Sequence, residues 1–98
     1  MFTTVWEYDV APELSGRFEA AYGPEGPWVD LFRSGAGYLE TVLLRDTTRP
    51  TRFVTLDRWT SRAAYEEFRV LFAAAYAALD ADMGDLTLAE RHLGSFYG

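Results

Sequence analysis

Gly37-Tyr38-Leu39-Glu40-Thr41-Val42-Leu43-Leu44-Arg45-Asp46 and Arg52-Phe53-Val54-Thr55-Leu56-Asp57-Arg58-Trp59 read as the two strands of a hairpin turned at Thr48-Arg49-Pro50. Strands are expected from about Tyr38 to Thr47 and from Arg52 to Trp59. Pairing Asp46 with Arg52 and Glu40 with Arg58 sets opposite charges across from each other and fixes a register. Val42, Leu44, Val54 and Leu56 then share an aliphatic face. The other face collects Leu39, Thr41, Leu43, Arg45, Phe53, Thr55, Asp57 and Trp59, a mixture of aromatic, polar and charged groups suited to a ligand wall.

Before the hairpin, residues 2 to 10 alternate, with Phe2, Thr4, Trp6, Tyr8 and Val10 on one side, as in a first strand. Pro12 suits the opening turn of a helix, and Leu14, Phe18, Ala21 and Tyr22 follow at helical spacing. Gly23-Pro24-Glu25-Gly26-Pro27 must break that helix, and Trp28 to Phe32 allows one further turn. After the hairpin, Thr60 or Ser61 can cap the longest helix, whose apolar stripe is Tyr65, Phe68, Leu71, Phe72, Ala75, Tyr76 and Leu79. Asp80 to Asp85 is a turn, and Leu86 to Phe96 reads as a last strand. The order β, α, β, β, α, β over residues 1–98 is one α+β domain of ferredoxin-like type, with two helices on one face of a four-stranded antiparallel sheet.

Two helices cover one sheet face, yet the strands carry large apolar groups on both. The expected cover for the second face is another copy of the chain, stacked sheet to sheet. Polar groups left inside such a stack would surround a cavity.

Composition narrows the partners. The chain has 98 residues, net charge −6, nine Arg and no Lys. This balance repels a phosphate backbone and anionic lipid, so neither nucleic acid nor membrane is expected as a partner. An RNA-recognition domain shares the element order, but Arg52 to Trp59 lacks that domain's basic, glycine-containing aromatic motif. No Cys is present, which excludes a disulfide framework and a thiolate metal site and suits a reducing cytoplasm. The N-terminus has neither the basic nor the long apolar segment of a signal peptide. The Val70–Leu79 run is too short to span a bilayer, for which roughly 20 residues are needed. Three Trp, six Tyr and seven Phe are many for this length and point to an aromatic core or pocket.

Trp59-Thr60-Ser61-Arg62-Ala63-Ala64-Tyr65-Glu66-Glu67-Phe68, a strand-end Trp followed by a helix with the pattern W-x-S-x-x-A-Y-x-x-F, resembles the antibiotic-biosynthesis monooxygenase family of dimeric α+β barrels. The hairpin is similar to that family's as well. The resemblance implies a homodimer that binds a planar aromatic or polyketide-like molecule. It further implies an oxygenase needing no flavin, metal or haem, because the deprotonated substrate itself supplies electrons to dioxygen. Trp59 and Tyr65 match the Trp and Tyr that oxygenase members place around the substrate. The Asn that such members can carry four residues before the Trp is Thr55 here. Haem turnover, which in another branch uses a His on the second helix and an Asn on the first strand, is disfavoured: Arg69 holds the former position and the chain has no Asn.

Trp59 could donate its indole N–H to a substrate oxygen, and Tyr65 could relay a proton; both could equally be core. His92 is the sole imidazole and titrates nearest neutrality, although a surface role suits its Glu90-Arg91 neighbourhood. Asp57 could serve as base if burial raised its pKa, the plainer alternative being a salt bridge to Arg45. Trp6, Tyr8, Trp28, Phe32, Phe53, Thr55 and Phe72 are the expected walls of the slot. Glu66, Glu67, Asp80, Asp82 and Asp85 are expected to face water. The competing function is a non-enzymatic small-molecule-binding or stress-associated protein on the same fold.

Overall fold

The first strand's alternation makes β1 (Phe2–Asp9), and the hairpin forms β2 (Tyr38–Arg45) and β3 (Arg52–Trp59), in a computed structural model describing residues 1–98. Helices α1 (Ser15–Tyr22) and α2 (Pro27–Phe32) follow β1, while α3 (Arg62–Leu71) and α4 (Ala73–Met83) precede β4 (Ala89–Tyr97). The strands are antiparallel in the order β2-β3-β1-β4. This is the ferredoxin-like arrangement.

The hairpin pairs as its charges require: Glu40 lies opposite Arg58, and Arg52 donates to Asp46 at 3.1 Å. β2 stops at Arg45 because the Asp46 carboxylate accepts from the Thr48 and Arg49 backbone N–H groups, closing a turn. Leu39 falls at a bulge between Tyr38 and Glu40 and stands largely exposed rather than on the pocket face.

Ser61 is the cap, its Oγ accepting from Ala64 N–H at 3.1 Å. The long helix expected beyond it is two, kinked at Phe72, whose backbone leaves helical geometry at φ −112°, ψ 25°. The ladder survives the kink, since Phe72 N–H donates to the Phe68 carbonyl and Tyr76 N–H to that of Phe72. Gly84–Leu86 tightens into a 3₁₀ turn, so β4 begins later than alternation suggested.

Phe2, Tyr8, Phe53 and Trp59 project from the sheet into the core beneath the helices, meeting Phe18, Tyr22, Trp28, Phe32 and Phe68. Gly26 joins the first two helices there. A Cβ on it would lie 2.3 Å from the Ala21 carbonyl oxygen, so only glycine lets the chain fold back onto the end of α1 and start α2.

The opposite sheet face has no cover within the chain. Cross-strand pairing lines up Val42, Leu56 and Val5, and beside them Leu44, Val54 and Glu7. At one end Glu7 is held by both Arg52 and Arg91, and Arg91 also bonds Asp9 at 2.8 Å. Those guanidinium groups hold the Glu7 carboxyl below the ordinary carboxylate range.

Candidate functional site

A narrow cleft, partly open to solvent, lies between the helix layer and the sheet. Its lining lies on the helix-covered side of the sheet, so it is a separate space from the cavity expected between stacked sheets. The mixed face of the hairpin is the face beneath the helices, and α1, α2 and α4 do not fill all the space above its small and polar residues.

Six of the expected site residues meet there: Trp6, Tyr8, Trp28, Phe32, Thr55 and Asp57. Tyr22, Thr41, Tyr76, Asp80 and Glu90 complete the lining and were not singled out from the sequence as site residues. Asp80 was expected to face water; it does stand exposed, but at the cleft's mouth, because it follows Tyr76 by four residues on one face of α4. Thr41 could have been found from the register, which sets it opposite Asp57.

The other expected residues lie outside the lining. Trp59 is fully enclosed, its ring 6.0 Å from Phe32 and 5.0 Å from Phe68 between centroids. Tyr65 stands 5.6 Å from Trp59, and its hydroxyl accepts from Arg69 at 3.0 Å. Phe53 is buried under Phe18, and Phe72 lines a separate hollow beside Gly35 and Phe68. His92 is exposed on β4, its ring 5.0 Å from Trp6 and its Nε2 3.0 Å from Thr4 Oγ1.

Asp57 is the chemically distinctive group. It is 8% exposed and forms no salt bridge to Arg45, which pairs with Glu19 instead. Burial pushes its carboxyl from 3.8 up to about 6, opposed only in part by the Thr41 hydroxyl, which donates to it at 2.7 Å. Because Thr41's single hydroxyl proton goes to Asp57, the Tyr38 hydroxyl, 2.8 Å from Thr41 Oγ1, must be the donor in that contact. Tyr38, Thr41 and Asp57 thus form a hydrogen-bonded row from the half-buried edge of the sheet to the cleft.

Besides the carboxylates Asp80 and Glu90, the remaining polar groups are hydroxyl donors, neutral phenols and indoles. Thr55 donates to the Tyr8 hydroxyl at 3.3 Å, and burial drives that phenol's pKa far upward. Tyr22 and Tyr76 are each pushed up to about 12, chiefly by burial. The Trp28 indole N–H, itself buried, lies near enough to Tyr22 to oppose that shift. No group of three or more His, Asp or Glu is placed to hold a metal ion.

Fold and cleft together define a ferredoxin-like α+β protein with an aromatic-lined cleft between sheet and helices. The antibiotic biosynthesis monooxygenase family model matches residues 1–71, and the chain belongs to that family. A candidate antibiotic biosynthesis monooxygenase from Bordetella bronchiseptica is similar over 99% of this chain and 95% of its own, with TM-score 0.79 and 17% identity. SnoaB, a cofactor-independent oxygenase from Streptomyces nogalater, is similar over 99% of this chain and 91% of its own, with TM-score 0.71 and 19% identity. A candidate family member from Deinococcus radiodurans covers all of this chain with 92% of its own, at TM-score 0.73 and 12% identity. At these identities the likeness establishes a shared fold. No curated protein matches the chain. No helix is long and apolar enough to cross a membrane.

Proposed function

We propose that this chain acts in the cytoplasm as a homodimeric, cofactor-independent monooxygenase of a planar aromatic or polyketide-like molecule. The observation that carries the reading is Asp57, a buried carboxylate pushed up to about 6 among the aromatic walls of the cleft. Asp57 takes a proton from the substrate's acidic C–H or phenol, and its own charge passes to the substrate, so the cleft's net charge is unchanged. The electron-rich substrate then reduces dioxygen: one oxygen atom enters the substrate as a carbonyl, and the other leaves as water with the two hydrogens removed. Thr41 and Tyr38, by turning their hydroxyls, pass the proton from Asp57 to the sheet edge. Trp59 and Tyr65 act as positioning residues behind Phe32, and His92 behind Trp6.

Chelator-treated protein mixed with an anthrone is expected to consume one dioxygen per anthrone and release the anthraquinone. Binding of the anthrone with no uptake above the protein-free rate would instead favour the non-enzymatic binding protein.

The homodimer rests on the uncovered face, whose centre is the apolar row Val42, Leu56 and Val5. In a two-fold stack, Leu56→Asp places an unpaired carboxylate in the interface from each copy, at several kcal/mol apiece. Sedimentation should therefore show wild-type dimer and variant monomer, both with native circular dichroism; a wild-type monomer at high concentration would rule the stack out.

A further inference from the structure

Water scarcely reaches the floor of the cleft, where Thr55 is 3% exposed and Asp57 8%. A ring system several times larger than water therefore meets Asp57 only if part of the wall gives way. Most of the structure around the cleft is fixed. β1 and β3 are the central strands, paired on both sides, and α1, α2 and α3 each carry a buried anchor, Phe18, Val29 and Phe68. α4 differs. It supplies Tyr76 and Asp80 to the lining but has no buried residue, and only Tyr76, Leu79 and Met83 press on the core, each half-buried.

Both ends of α4 can bend. At one, Phe72 stands off helical geometry between α3 and α4; at the other, Gly84 opens the 3₁₀ turn towards β4, with open space where a side chain would stand. Arg69, a turn before the first bend, reaches across it. Its guanidinium lies over the Tyr76 ring at 3.9 Å and donates to the Tyr65 hydroxyl at 3.0 Å, which ties α4 to α3. Partial burial weighs against the charge of Arg69, and Tyr65, Tyr76 and Asp80 outweigh it. Both residues that α4 lends to the cleft are thus drawn to this one cation. Tyr76 also meets Trp28 edge to face at 5.0 Å, so its ring links the clasp to the cleft wall.

We propose that α4 is a lid on the cleft, hinged at Phe72 and Gly84, and that Arg69 holds it shut through its grip on Tyr76. Arg69 is a positioning residue, since it lies outside the lining. The identity of what enters rests on the function proposed above; the gate does not.

The chain has no Cys, so one introduced thiol reports opening. Thr55→Cys places it on the cleft floor, with Thr41→Cys in reserve should that variant not fold, and Val10→Cys places it in the core outside the lining. Methyl methanethiosulfonate is expected to modify the cleft thiol more slowly than an exposed thiol, yet faster than the core thiol. Because a lid exposes little surface, the cleft rate should stay nearly flat at low urea, while the core rate, which waits for global unfolding, climbs steeply. Arg69→Met keeps the stem and removes the charge, and should raise the flat cleft rate about three- to tenfold. A purely structural loss would raise the core rate and leave the flat cleft rate where it was. A cleft thiol that is unprotected, that follows the core thiol in urea, or that ignores Arg69→Met would overturn the lid. Oxygen uptake by wild-type protein with anthrone separates the two readings. Gated labelling without uptake sinks the oxygenase alone, and uptake with ungated labelling sinks the lid alone.

Discussion

Replacing Asp57 by Asn is expected to remove most turnover while making the protein more stable at neutral and higher pH. The loss follows from the missing proton acceptor, worth typically ~10²–10⁴ in rate. Asn keeps an oxygen for the Thr41 hydroxyl at nearly the same shape, so the cleft is preserved. The gain follows from burial. The folded chain holds the Asp57 proton up to about pH 6, whereas the unfolded chain releases it near the ordinary value of 3.8. Between those values the native state binds more protons than the unfolded state, so wild-type stability falls as pH rises through this window. Below it the contribution is fully present; above it the native state carries an ionised, buried carboxylate.

About two pKa units correspond to roughly 3 kcal/mol, an upper bound because the cleft is partly open to solvent. The variant lacks this dependence. At about pH 8 its Tm should exceed that of the wild type by roughly 5–15 °C at equal protein concentration, and the two should converge near pH 4. For the wild type, kcat/KM should rise with pH through about 6 as Asp57 ionises. A variant that keeps its rate with a wild-type pH profile would remove Asp57 from the chemistry.

The alternation of the hairpin, and the charge pairs that pin its register, made β2, β3 and the mixed face legible before any coordinates. A period of two assigns every side chain to a face once one pair is fixed. Which layer covers which face was less legible, because both faces carry apolar groups. That is why a cavity was expected between two copies. Asp80 and Glu90 were missed for a related reason: they come from different elements, and local spacing carries no sign of their approach. The kink at Phe72 was hidden too, since the apolar face runs through it from Phe68 to Tyr76 with unbroken helical spacing.

Trp59 shows where a family motif and the fold's packing diverge, and Trp59→Ala is expected to be the most destabilising single change in the chain. The indole is enclosed on every side by Phe32, Tyr38, Tyr65 and Phe68, and a Cβ added at Gly35 would come within 3.0 Å of its ring. Truncating so tightly packed a ring costs about 3–5 kcal/mol, a large part of the 5–15 kcal/mol that holds a small domain together. Trp59→Phe keeps most of the packing. It also deletes an indole N–H that is buried with no partner, which offsets part of the lost contact area. Urea melts should therefore rank wild type above Trp59→Phe, with Trp59→Ala far below. Since Trp59 bears on the cleft only indirectly, through Phe32 and Tyr38, the Phe variant should keep kcat/KM within about tenfold of wild type, less than 1.4 kcal/mol of barrier. A hundredfold fall in a Phe variant that melts like wild type would mean that the indole N–H reaches the substrate, and that Phe32 yields to let it in.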